Sequence, residues 1–176
     1  MPSPVIRPLA LPDVPALTRL VVANRDYLRP WEPRRPDRFW TEAGQRELVE
    51  KALAEQDGGR MAPYVILDDE GEVAGRINLS TIVRGAAQHA SVGYWVAEDR
   101  TGRGLASRAV GAICVQAWEV WRLHRLEAGT LPHNLASQRV LHRNGFRHYG
   151  RATKYLHIDG RYQDHELFEL LAPDLR

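Results

Sequence analysis

The sequence is poor in cysteine. Cys114 stands alone in 176 residues, so no internal disulfide can form and a reducing compartment is expected. Lysine is nearly absent, found only at Lys51 and Lys154. The cation is therefore arginine, which suits bidentate contact with phosphate or carboxylate, although composition bias alone accounts for most of it. No apolar run reaches the roughly 18 residues that argue for a membrane span. The N-terminal stretch MPSPVIRPLALPD lacks the apolar core of a secretory signal. A cytoplasmic protein with no membrane partner is expected. A dominant charge is also missing: Lys+Arg 24 against Asp+Glu 22 leaves a formal net charge of +2, too even for DNA binding by bulk charge. The seven histidines show no metal spacing with Cys114 or carboxylates, so no metal is expected. What is there, 44% hydrophobic and 26% charged residues, suits one well-cored domain over 1–176.

Periodicity and turn chemistry divide the chain. Val5–Leu9 reads as a short strand and Asp13–Asn24 as a helix, with Val14, Leu17, Leu20 and Val21 at helical spacing. Pro30, Pro33 and Pro36 exclude a regular helix or central strand over Arg29–Pro36. That segment reads as an ordered loop, because Trp31 is costly to leave exposed. Thr41–Gln56 is a helix capped by Thr41 and stopped by Asp57-Gly58-Gly59. Ala62–Leu67, Val73–Val83 and Ser91–Ala97 are successive strands, the first two joined by the turn Asp68-Asp69-Glu70-Gly71. A long apolar helix runs from Leu105 to Trp121, then a strand over Leu126–Leu131 and a helix over Leu135–Arg143 with the stop Asn144-Gly145. Strands over Arg147–Ile158 and Arg161–Leu171 turn at Asp159-Gly160. This order predicts a mixed α/β domain, not a doubly wound repeat.

Between the strand SVGYWVA and the long helix lies EDRTGRGLAS. A helix N-terminus offers unpaired N–H groups and partial positive charge. Gly102 and Gly104 let that backbone approach a ligand closely. Arg103 adds charge and Ser107 a hydroxyl, so the segment has the makings of a pyrophosphate cradle. A tight turn with no ligand explains the fragment equally well. A P-loop is excluded by spacing and by the missing Lys. A Rossmann fingerprint fails for want of a third glycine, and Glu119 lies inside the helix.

The segment PHNLASQRVLHRNGF reads as a turn, a helix capped by Asn134, a Gly145 stop and a buried Phe146. Capping explains all of this except Ser137. That residue stands one turn after Asn134, so the two side chains share a face. The two segments together, Thr101-x-x-Gly104-x-Ala106 and then Asn134, Ser137, Val140, Arg143, Gly145, Phe146, resemble the GNAT acetyltransferase superfamily. Ala23–Pro33, Ser80–Gly85, His124–Asn134 and Tyr155–His165 are similar to ribosomal-protein N-terminal acetyltransferases of the RimJ/RimL type, the alanine-modifying side being closer.

The resemblance implies a single domain whose mixed, mostly antiparallel sheet splays in the middle, with helices on both faces and acetyl-CoA in the splay. It implies cofactor contacts at Trp95, Val96 and Ala97, at Thr101, Gly102, Arg103, Gly104, Leu105, Ala106 and Ser107, and at Asn134, Ser137 and Arg143. It implies an acceptor pocket around Trp31 and Glu32, with Asn78 and Tyr94 beside it. Thr101 departs from the family's Gln or Arg, and Leu141 stands where many members carry a catalytic Tyr. Ser137 is then the acid for the thiolate, and Glu32 the candidate base or ammonium anchor. Glu32 is read equally well as a solvated or Arg-paired glutamate, and Glu98, His133 and Cys114 as structural. The implied acceptor is a protein N-terminal amine, ribosomal proteins foremost. A small-molecule amine acetyltransferase and a non-turning-over CoA-binding or ribosome-associated module are the alternatives. The oligomeric state stays open, a homodimer included.

Overall fold

The computed structural model describes residues 4–173. In chain order the elements are β1 (Ile6–Pro8), α1 (Val14–Ala23), α2 (Arg25–Leu28), α3 (Glu42–Asp57), β2 (Ala62–Leu67), β3 (Val73–Val83), β4 (His89–Val96), α4 (Leu105–Glu119), β5 (Arg125–Thr130), α5 (Leu135–Arg143), β6 (Arg147–Ile158) and β7 (Arg161–Leu171). The strands form one sheet in the order β1-β2-β3-β4-β5-β7-β6. Only β4 and β5 run parallel.

Helices cover both faces. On one, α4 sets Leu105, Ala109, Val110, Ile113 and Ala117 against Ile66, Ile77, Leu79 and Val92. Each such large aliphatic side chain contributes about 1.5–3 kcal/mol when fully buried. On the other, Val14 and Leu17 of α1 meet Val49 and Ala52 of α3 over Val65 and Leu67. Thr41 caps α3 as its sequence predicts, accepting from the Gly44 amide at 3.1 Å. The strand β2, covered on both sides, is buried at every residue.

The proline-rich segment is an ordered connection, built from short turns. The helix expected to end at Asn24 restarts as α2, and single 3-10 turns follow at Arg29–Trp31 and Asp37–Trp40. Proline at the start of the first turn supplies a fixed φ and needs no amide partner there. The strand β4 begins at His89, earlier than the alternation suggests, because His89 pairs with both Val83 and Arg125. The helix α4 stops at Glu119, before the expected Trp121, and Arg122 then adopts φ 52°. At the other edge of the sheet, β6 bulges between Ala152 and Leu156. Lys154 within the bulge has φ 48°, and its amide is caught by the Asp164 carboxylate at 2.9 Å.

The pairing of β4 with β5 is short. It runs from His89–Arg125 through Ala90–Leu126 to Ser91–Glu127, and there it ends. Beyond it β4 stays bonded to β3 through Val96, while β5 stays bonded to β7 through Thr130. The strands diverge, and the second edge of β4 from Val92 onward has no strand partner. The expected splay is present, and it positions the site.

Candidate active site

A cavity of about 690 Å³ fills the splay. At one end it meets the start of α4. Gly102 and Gly104 have φ of 76° and 73°, conformations that L side chains adopt only with strain. Gly104 is the N-cap, and no side chain caps the helix. The first-turn amides are therefore free for an anion. Asn144 locks this end to α5: its Nδ2 donates to the Ser107 carbonyl at 3.1 Å and to the Val140 carbonyl at 2.9 Å.

Most of the sequence-predicted residues converge here. Trp95, Val96, Thr101, Gly102, Gly104, Leu105, Ala106, Ser107, Asn134, Ser137 and Arg143 line the cavity, as do Trp31, Glu32 and Tyr94. Three do not. Arg103 turns to a neighbouring depression with Asp68, Asp69, Glu70 and Arg108. Ala97 is buried and its amide bonds the Ala74 carbonyl at 2.8 Å. Asn78 pairs with Gly93 on β4, outside the cavity lining. Thr101 spends its hydroxyl on the Glu98 carbonyl at 2.7 Å, so it holds the loop's shape. Arg100 lines the cavity while paired to Asp68 at 3.1 Å.

The α5 side is ordered by its cap. The Asn134 Oδ1 accepts from the Ser137 amide at 3.1 Å. The Ser137 hydroxyl lies 2.8 Å from the Tyr94 phenol of β4. Burial pushes the Tyr94 phenol up to about 12, against a smaller opposing effect of the Ser137 bond, so it is protonated at neutral pH. Leu141 is fully buried in the core. The phenol missing from α5 is thus brought to Ser137 from across the splay.

At the far end the cavity meets the proline-rich segment. Trp31 packs on His133 with ring centroids 5.4 Å apart. The Glu32 carboxylate accepts from Arg35 at 3.2 and 3.3 Å, and its carbonyl accepts from the Asp159 amide at 3.0 Å. The turn of the β6–β7 hairpin is thereby fastened to this loop. Cys114 is buried outside the cavity lining, and burial pushes its thiol up to about 12, which suits a packing role.

Two groups escaped the sequence reading. Arg139 joins Arg143 on the cavity wall, and the four-residue spacing on α5 was a legible signal. His165 was less legible. It is 4% exposed, lines the cavity, and is the buried histidine of β7. Its Nδ1 lies 3.1 Å from the Gln163 carbonyl. A carbonyl can only accept, so Nδ1 carries the proton and a neutral ring presents Nε2 as acceptor. Its Cδ2 edge faces Gly129, where no side chain intervenes.

No helix among the described residues is long and apolar enough to cross a membrane. The family model described as "Acetyltransferase (GNAT) domain" matches residues 5–147. The chain is 33% identical over 172 residues to "Probable N-acetyltransferase YjcK" of Bacillus subtilis, covering 96% of this chain and 94% of that one. It is 34% identical to the "[Ribosomal protein uS5]-alanine N-acetyltransferase" of Escherichia coli, covering 86% and 78%. Among solved structures, RimJ of Mycobacterium smegmatis in complex with CoA-disulfide superposes with TM-score 0.92 at 34% identity, over 97% of this chain and 82% of that one. With that family model spanning most of the chain and relatives above 30% identity covering it almost end to end, the chain belongs to the GNAT acetyltransferase family.

Proposed function

We propose that this acetyltransferase, a single domain over 1–176, acts in the cytoplasm on the N-terminal α-amino group of a protein, ribosomal proteins foremost. Acetyl-CoA is the co-substrate and supplies an activated thioester. The residues present fit it. The free amides of Gly102 to Ser107 suit a pyrophosphate, and the unpaired β4 edge suits an amide-bearing arm. Arg139 and Arg143 add charge. In this reading Ser137 donates a proton to the departing sulfur, the Tyr94 O–H restores it, and Tyr94 regains its proton from solvent. An amide of the free β4 edge polarises the carbonyl. Glu32 holds the incoming ammonium at the cavity mouth. His165, set deeper, takes the proton.

The observation that carries the acceptor reading is the charge at the mouth. Glu32 is already paired with Arg35, and Arg25, Arg29 and Arg34 stand around it. A polyamine or aminoglycoside would meet net repulsion there, whereas a peptide terminus brings one charge and backbone carbonyls. Labelled acetyl transfer should be measured on peptides beginning with Ala, Ser or Met, with spermidine as the small-amine comparison. Turnover of Ala-led peptides well above spermidine is expected, and the reverse order overturns the reading. The base is tested by E32Q and H165Q: the first should raise KM, and the second should lower kcat and regain rate with added imidazole.

A further inference from the structure

A second cavity of about 470 Å³ adjoins the first and shares Leu28 and Glu32 with it. Its wall carries Arg25, Arg29, Arg34 and Arg35 against Glu32 and Asp159. Solvated surface arginines usually sweep freely, but three of these four are held. The Arg25 guanidinium lies over the Trp40 ring at 4.8 Å, and that of Arg35 lies over Phe39 at 4.8 Å. Arg34 packs so closely on Gly160 that a Cβ there would lie 2.5 Å from its guanidinium, and it stands 3.8 Å from Asp159. Ring and turn contacts fix a guanidinium without consuming its N–H donors. Only Arg35 spends donors on a near carboxylate, that of Glu32. Arg25 and Arg29 have no carboxylate partner among the described residues.

We infer that this groove is a binding site for carboxylate side chains in the acceptor chain, within the first few residues after the acetylated amine. The inference rests on the peptide-terminus reading above. An extended chain advances about 3.3 Å per residue. A chain leaving the reaction centre past Glu32 therefore enters the groove within its first residues. There the preset guanidiniums offer bidentate donors to Asp or Glu. The groove thus supplies sequence preference that the amine itself cannot.

The test uses Ala-led peptides that differ only at the second to fifth positions, carrying Glu, Gln or Lys. In low salt the Glu peptide should show kcat/KM about tenfold above the Gln peptide, with the Lys peptide lowest. The advantage should shrink in high salt, and R25Q/R29Q should bring the Glu peptide down to the Gln level. The charge-reversed R29E should move preference toward the Lys peptide, an outcome that misfolding cannot imitate. Equal rates for Glu and Gln peptides overturn the groove and leave the function reading standing. If no peptide is acetylated while spermidine is, the function reading falls. The groove is then judged by binding of a C-terminally labelled Glu peptide to the CoA-loaded protein, which R25Q/R29Q should weaken and which unchanged binding would refute.

Discussion

The two arms of the splayed sheet are built on different physics. The arm from β1 to β4 is a sandwich, with β2 buried at every residue and helices on both faces. The arm from β5 to β7 ends in a ribbon: β6 is exposed along most of its length. That ribbon is laced by charge. Arg125 pairs with Glu127 and Glu169, Arg147 with Glu169, His148 with Glu166, and Arg151 with Asp164. The apolar arm carries the glycine-rich loop and the uncapped start of α4. The ionic arm carries the hairpin turn whose Asp159 amide bonds the Glu32 carbonyl of the proline-rich segment. The Tyr94–Ser137 hydrogen bond joins the two.

Substitutions can break each arm in its own way. Ile77→Ala empties a fully buried site of the first arm and should cost about 3–4 kcal/mol of unfolding free energy in a denaturant titration. Ser137→Ala should lower kcat about 100-fold with CoA affinity retained by calorimetry. Asp13→Asn should cost roughly 2 kcal/mol. Burial pushes the Asp13 carboxyl up, but the Arg7 bonds at 2.8 and 2.6 Å and the Ala10 amide at 2.9 Å outweigh it, and the net shift is downward. Its contribution is therefore present above the ordinary carboxylate range and lost as pH falls through the lowered folded value. Wild type should lose stability with acid over that window more steeply than D13N. Tyr94→Phe should lower kcat about tenfold with KM for acetyl-CoA unchanged. Glu169→Gln loosens the ionic arm alone and should cost about 1 kcal/mol, less in high salt.

Much of this was legible in the chain. Gly102 and Gly104 marked the turn into α4, Asn134 the cap, and Asp159-Gly160 the hairpin, because each signal lies within a few residues. The Tyr94–Ser137 bond was not legible, since it links residues 43 apart in sequence through a strand order that alternation does not encode. His165 was hidden for the same reason: it packs beside Gly129 of the neighbouring β5, and neither residue announces the other. The ordered turns over Arg29–Trp40 were foreseen as structure but not as shape, because three prolines say what the backbone avoids more than what it adopts.

The sheet's two borders also decide how copies of the chain can meet. One border is β1, three residues long and ending in Pro8, which has no amide to offer a new strand. The other is β6, whose bulge between Ala152 and Leu156 breaks the ladder and holds the exposed Lys154. Neither presents the flat, regular run of backbone groups on which a second chain could template. Among the described residues, strand addition by a second chain is thus disfavoured at both borders of the sheet.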